Sequence, residues 1–230
     1  MTNNLKKICF LSGAGVSAES GISTFRDSNG LWENHRVEDV ASIDGWYKNR
    51  NLVNDFYNQR RRQLKNSKPN DAHLMIAKLE NYFNVSVVTQ NIDNLHEMAG
   101  SSKVIHLHGS LTKACNESKT HVYDIGYRDI NEGELADDGS FLRPFIVWFG
   151  EAVPLIEDAI NIIYDTDILV IVGTSLNVYP AANLINYAKP SAKIYLIDPN
   201  DVRIPSNVEI IKEKATVGMN YLFKELTKSL

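Results

Sequence analysis

Residues 6–12, KKICFLS, run directly into Gly13-Ala14-Gly15-Val16-Ser17-Ala18, and this junction sets the architecture. The apolar run reads as a buried strand. The glycine segment after it matches G-x-G-x-x-G/A in the place where that pattern matters, with a strand before it and a helix expected after it. Gly13 would permit a tight turn. Gly15 would let backbone N–H groups approach a pyrophosphate, with the helix amino terminus favouring its charge. Ala18 is small enough for close helix–strand packing. The alternative is a purely structural turn.

Further along the chain, similar β-branched runs recur at 84–89 (NVSVVT), 103–107 (KVIHL), 167–173 (DILVIVG), 192–197 (AKIYLI) and 208–212 (VEIIK). Near-continuous apolar strands predict a sheet covered on both faces. Helical patterns separate them. Asn70 is a plausible N-cap for 71–83, Pro154 and Pro180 suit first turns, and 217–230 is helix-like. The expected fold is α/β, a doubly wound Rossmann-like parallel sheet. Two stretches break the rhythm: 44–64 reads as one long helix, and 109–142 is polar and poor in apolar runs. The reading is a single domain over 1–230. Its large lobe would hold about 1–32, 70–108 and 143–230, and its small lobe about 33–69 and 109–142.

Composition narrows the options. The 230 residues carry a net charge of −4, which gives no global field for gripping nucleic acid. No apolar stretch approaches the ~18 residues of a membrane span, and the amino terminus lacks a signal-peptide layout. A cytoplasmic monomer is expected, with no nucleic-acid or membrane partner. Two cysteines, Cys9 and Cys115, make neither a disulfide framework nor a four-thiolate zinc site. Cys9 reads as a small buried thiol.

Polar residues collect at strand ends, where open α/β sheets bind ligands. They are Gln90-Asn91-Ile92-Asp93, His106 and His108, Gly173-Thr174-Ser175, and Asp198-Pro199-Asn200. Asn91 and Asp93 either cap a helix or meet a ligand, because a buried amide or carboxylate needs a partner. His106 and His108 are either one surface and one packed histidine or, sharing a face at i and i+2, metal ligands; no third ligand supports the latter. A hydride-transfer enzyme is disfavoured, since no acidic residue follows the second strand. Tyr57 and Arg60 lie at i and i+3 on one helix face. They form either a solvated basic surface or a grip for a carboxylate.

Seven segments now fall into one order: 13–17 (GAGVS), 21–26 (GISTFR), 30–32 (GLW), 90–93 (QNID), 106–110 (HLHGS), 147–151 (VWFGE) and 173–175 (GTS). Together they resemble the sirtuin signature and span most of the chain. The resemblance implies an NAD-consuming deacylase of protein lysines, yielding nicotinamide, the free lysine and an O-acyl-ADP-ribose. It implies that Gly13, Ala14, Gly15, Ser17, Ala18, Phe25, Arg26 and Trp32 hold phosphates or cover the ribose and nicotinamide. Gln90, Asn91, Ile92 and Asp93 would line the nicotinamide pocket. Gly173, Thr174 and Ser175 would meet the phosphate or ribose region, Asp198, Pro199 and Asn200 the adenine ribose, and Ala215 the adenine end. His108 would be the catalytic histidine, assisted by Asn91 and Asp93, with Gly109 leaving room for the sugar. Val147 and Phe149 would belong to a strand that pairs with the acylated peptide.

Sirtuins that prefer succinyl- or malonyl-lysine carry Tyr-x-x-Arg on this helix with an upstream alanine. Tyr57, Arg60 and Ala41 match, which implies an acidic-acyl pocket with deacetylase activity retained. The chain departs from the family at its zinc module. Cys115 matches the first of four cysteines, only His121 could help, and no zinc is expected. Val122, Tyr123, Ile125, Tyr127 and Phe141 are expected to form a substitute apolar core. The rival readings are an NAD glycohydrolase or ADP-ribosyltransferase, and a non-catalytic NAD-binding module.

Overall fold

A computed structural model describes residues 5–22, 31–32, 34–202 and 204–228. The described residues form eleven strands: β1 Lys7–Ser12, β2 Leu31–Trp32, β3 His35–Arg36, β4 Asn84–Thr89, β5 Val104–His106, β6 Gly109–Cys115, β7 Val122–Asp124, β8 Arg143–Ile146, β9 Ile168–Val172, β10 Lys193–Ile197 and β11 Val208–Ile211. The α-helices are α1 Val37–Val40, α2 Ile43–Lys48, α3 Arg50–Asn66, α4 Asp71–Lys78, α5 Leu95–Met98, α6 Ile156–Tyr164 and α7 Ala215–Thr227.

Six strands make one sheet in the order β11-β10-β9-β1-β4-β5, and every pairing in it is parallel. Alternate side chains of β1 explain the double winding. Ile8 and Phe10 pack with Ala72, Ile76, Met219 and Leu222 of α4 and α7. Cys9 and Leu11 face the other way, onto Ala159 and Ile163 of α6. Burial pushes the Cys9 thiol up to about 12, so it packs as a hydrophobe. The chain leaves β1 toward β4 and β5 on one side and later fills β9 to β11 on the other. The strand order therefore reverses beside β1, where such sheets open a crevice.

A separate three-stranded sheet, β7-β6-β8, and the β2-β3 pair lie apart from the main sheet. Helices α1 to α3 bury Val40, Trp46, Val53, Phe56 and Tyr57 against Ile146 and Trp148. The expected long helix over 44–64 is two helices. Asn49 breaks them: its φ of −155° is not helical, and its side chain accepts from Leu52 N at 3.0 Å to cap α3. Asn70 caps α4 as expected, accepting from Ala72 N at 3.0 Å. Residues 181–187 form a 3-10 helix, and α6 starts two residues past Pro154.

The substitute core differs from the expected one. Ile125 and Tyr123 do pack there, with Ala114, Ile130, Ala136 and Leu142. Val122 and Phe141 are exposed instead, and Tyr127 packs on the α1–α3 cluster.

Candidate active site

Two glycine loops interlock at the crevice. Gly13 N donates to Val172 O at 3.1 Å and Gly15 N to Gly173 O at 2.8 Å. A Cβ on Gly13 would sit 2.7 Å from Thr174 Cβ, and one on Gly15 2.8 Å from Gly173 Cα. These glycines are needed for close approach of the β1 and β9 loops. Gly13 is extended, with φ −132°, so the turn expected there is not its role, and the Gly15 amide is used internally. The helix expected after the motif is two short 3-10 turns, Ala14–Val16 and Ala18–Ser20, and Ala18 is exposed rather than packed on a strand. Gly173 has φ +64° and would drive a Cβ into the backbone of Gly15 and Val16. Gly173→Ala is expected to cost about 2–5 kcal/mol, from left-handed strain plus the clash, read as a lowered urea midpoint.

Behind this junction lies a buried polar network. Ser17 Oγ donates to Asp93 Oδ2 at 3.0 Å and accepts from Asn91 Nδ2 at 3.1 Å. Asp93 Oδ1 accepts from Leu95 N at 3.1 Å, so the capping role and the cleft position coexist. Burial raises the Asp93 carboxyl above its usual range, opposed by the Leu95 and Ser17 bonds. Gln90 Nε2 reaches Thr174 Oγ1 at 3.0 Å and ties β4 to β9 across β1.

Two histidines that sequence reasoning passed over sit here. His73 Nε2 lies 3.5 Å from Ser17 Oγ, and His96 Nε2 2.9 Å from Ser12 Oγ. Their rings are 4.8 Å apart. Burial lowers His73 to about 4 and holds His96 well below an ordinary imidazole, so both are neutral. The unfolded chain binds protons that these rings refuse. Stability is thus fully present above the ordinary pKa of 6.5 and is lost as pH falls toward 4. For His73 the loss is about 3 kcal/mol by roughly pH 4. His73→Gln is expected to flatten the acid limb of a stability-versus-pH curve from urea melts.

His106 and His108 have opposite settings. His106 Nδ1 meets Asn91 O at 2.8 Å and Nε2 meets Glu97 Oε1 at 2.7 Å. Burial pushes His106 down, but Glu97, the Asn91 carbonyl and Asp93 together outweigh it and the net shift is upward. Both ring nitrogens face acceptors, which suits an imidazolium. His108 Nδ1 lies 3.0 Å from Gln90 O. A carbonyl only accepts, so Nδ1 carries the proton and Nε2 keeps a basic lone pair. Burial lowers the His108 pKa, partly offset by that bond, so the ring is neutral near pH 7. Gly109 is required by its own backbone: its φ is +84° and a Cβ would collide with Phe145 O.

A recess opens beside this network, lined by Ile22, Trp32, Arg60, Ile92, Asp93 and Leu111 among others. Trp32 packs edge-on to Phe56 at 4.9 Å and to Tyr57 at 6.3 Å. Tyr57 is fully buried, its hydroxyl accepting from Trp148 Nε1 at 3.0 Å. Arg60 is half-buried and lies 4.8 Å over Phe56, so this helix face is not a solvated basic surface. Ala41 is buried in the same cluster. Strand β8 ends at Ile146, so Val147 and Phe149 lie just beyond it. Val147 N donates to His108 O, Trp148 N to Glu151 Oε2, and Phe149 N to Ala41 O, each within 2.8–2.9 Å. The backbone N–H groups of this segment are thus bonded within the chain.

The other strand ends complete the picture. Asp198 is buried and accepts from Asn200 N at 2.9 Å, whereas Pro199 and Asn200 are exposed. Ser175 is half-buried. Ala215 opens α7 and packs into the core. Phe25 and Arg26 lie outside the described residues.

The residues near Cys115 do not fit zinc. Its thiol is raised to about 11 by burial and contacts Pro144 O at 3.9 Å. Among the described residues, no group of three or more His, Cys, Asp or Glu could hold a metal ion. Asn116 organises the loop instead, its Nδ2 near Ser118 Oγ at 3.0 Å, Thr120 Oγ1 at 2.9 Å and Asp138 Oδ2 at 2.7 Å, with His121 N returning to Oδ1 at 3.0 Å. Elemental analysis is expected to find no stoichiometric zinc.

Known proteins share this geometry. The model of the Sir2 family matches residues 13–180. A Helicobacter pylori protein named NAD-dependent protein deacylase is 51% identical over 224 residues, covering 96% of this chain and 98% of its own. A crystal structure of a Sir2 homologue–NAD complex matches with a TM-score of 0.88 at 36% identity, covering 98% of this chain and 91% of that one. A Sir2 structure with a deacetylated peptide and 3′-O-acetyl-ADP-ribose matches with a TM-score of 0.80 at 29% identity, covering 97% of this chain and 94% of that one. With the interlocked glycine loops, the Ser17–Asn91–Asp93 network and His108 in the matched span, this chain belongs to the Sir2 family.

Proposed function

We propose that this chain is an NAD-dependent protein-lysine deacylase that favours succinyl and malonyl groups and retains deacetylase activity. The observation that supports the reaction class most is full-length similarity to NAD-dependent deacylases, joined to a neutral His108 beside the Asn91–Asp93 network. The acyl preference is supported by Tyr57 and Ala41 in one buried cluster, with the half-buried Arg60 lining the recess beside it.

In this reading the glycine loops, Ser17, Ala18, Trp32, Thr174, Ser175, Asp198, Pro199, Asn200 and Ala215 seat the dinucleotide along the carboxyl ends of β1, β9 and β10. Gln90, Asn91, Ile92 and Asp93 receive the nicotinamide end. The substrate acyl oxygen attacks the anomeric carbon as the glycosidic C–N bond breaks and nicotinamide departs. A weak nucleophile of this kind needs in-line positioning and exclusion of water. His108 Nε2 then accepts the proton of a ribose hydroxyl, which adds to the imidate carbon. Addition of water and cleavage of the carbon–amine bond release lysine and O-acyl-ADP-ribose. In this reading Phe149, exposed and one residue from Trp148, would contact the acylated peptide.

The test is a mass-spectrometric panel of acetyl-, malonyl- and succinyl-lysine peptides with and without NAD. The expected result is acyl-dependent nicotinamide release, fastest with the acidic acyl groups. Nicotinamide release without any acyl peptide would instead identify a glycohydrolase.

A further inference from the structure

The Tyr57 phenol is poised by a neighbour that belongs to none of the ligand contacts above. Trp148 Nε1 lies 3.0 Å from Tyr57 Oη, and both side chains are buried. An indole N–H only donates, so the phenol oxygen must accept. That leaves the phenol's own hydrogen as its remaining polar function. Burial raises the Tyr57 pKa, so this hydrogen stays in place.

The indole is itself clamped. The Arg143 guanidinium stacks 3.7 Å from the centre of the Trp148 ring, and Trp46 packs on it at 5.4 Å. Arg143 is buried and held by both Glu151 oxygens, Nη1 to Oε1 at 3.0 Å and Nη2 to Oε2 at 3.1 Å. Glu151 Oε2 also accepts from Trp148 N at 2.8 Å and from Lys119 Nζ at 2.7 Å. A bidentate, charge-assisted pair with a stacked guanidinium fixes orientation more tightly than packing alone. The chain of contacts runs from Lys119, through Glu151, Arg143 and Trp148, to the phenol.

We infer that Trp148 is a specificity-positioning residue: its indole N–H turns the Tyr57 hydroxyl into a donor aimed at an acidic acyl group, and the Arg143–Glu151 pair holds the indole in register. This rests on the acidic-acyl reading of Tyr57 and Arg60. A merely structural tryptophan would affect all acyl substrates alike. A positioning one acts on the substrate that needs the phenol as donor.

The test compares kcat/KM for succinyl- and acetyl-lysine peptides in the full chain with NAD. A wild-type protein that prefers acetyl would overturn the acyl reading and this inference with it. Given a wild-type preference for succinyl, Trp148→Phe should lower the succinyl-to-acetyl ratio about tenfold, chiefly through KM for the succinyl peptide, because a buried polar group loses its partner. Adding Trp148→Phe to Tyr57→Phe should lower the ratio no further, since the two act as one unit. An unchanged ratio, or equal losses on both peptides, would overturn the inference and leave the acyl reading standing. Should Trp148→Phe fail to fold, Arg143→Lys decides. It keeps the charge but loses the fork, so a reduced ratio supports the clamp and an unchanged ratio overturns it.

Discussion

His108→Ala is expected to reduce acyl transfer by about 10²–10⁴-fold in kcat, the range typical of a lost general base. The ring is held for that task. Gln90 O accepts from Nδ1, and burial keeps the imidazole neutral near pH 7, so Nε2 is ready to take a proton. Folding should be little affected, since His108 is half-buried and its Nδ1 bond runs to a backbone carbonyl. The pH profile adds a second check. A lowered His108 pKa means that activity should persist below the usual imidazole range and fall only at more acidic pH. Unchanged turnover in the alanine variant would remove the proposed mechanism.

Arg60→Met should lower kcat/KM for succinyl peptides by roughly 30- to 5000-fold, the kinetic equivalent of about 2–5 kcal/mol for a charged bidentate contact in a desolvated site. Acetyl peptides should lose far less, since they present no carboxylate. Arg60 lines the recess with Trp32, Ile92 and Asp93, and its guanidinium lies over Phe56. The aromatic support keeps the fork from collapsing into solvent. Equal losses on both peptides would show that Arg60 merely supports the fold. The measurement is steady-state kinetics on matched peptides that differ only in the acyl group.

The main sheet was legible in the sequence because its strands are buried on both faces. Continuous β-branched runs such as NVSVVT have few alternatives, and β4 covers that run without a shift. The glycine spacing was legible too, although its physical reason was not. Gly13, Gly15 and Gly173 serve a close approach between loops far apart in the chain, which no local pattern encodes. The break at Asn49 carried a signal, an N-cap residue inside an apolar rhythm.

The polar interior was the least visible part. His73 and His96 come from α4 and α5, and they are brought against Ser17 and Ser12 only by the packing of those helices on the sheet. The opposite pKa shifts of His106 and His108 depend on Glu97 facing one ring and only a backbone carbonyl facing the other. The loop around Asn116 is similar. A missing set of cysteines was plain to read, but not the amide that organises the turn in their absence.

The fate of the acyl group itself supplies the decisive measurement. Incubated with a succinyl-lysine peptide and NAD, the protein should yield O-succinyl-ADP-ribose in amounts equal to the nicotinamide and free lysine, as resolved by mass spectrometry. Free succinate together with unmodified ADP-ribose from the earliest time points would refute the transfer of the acyl group from lysine to ribose within one cleft.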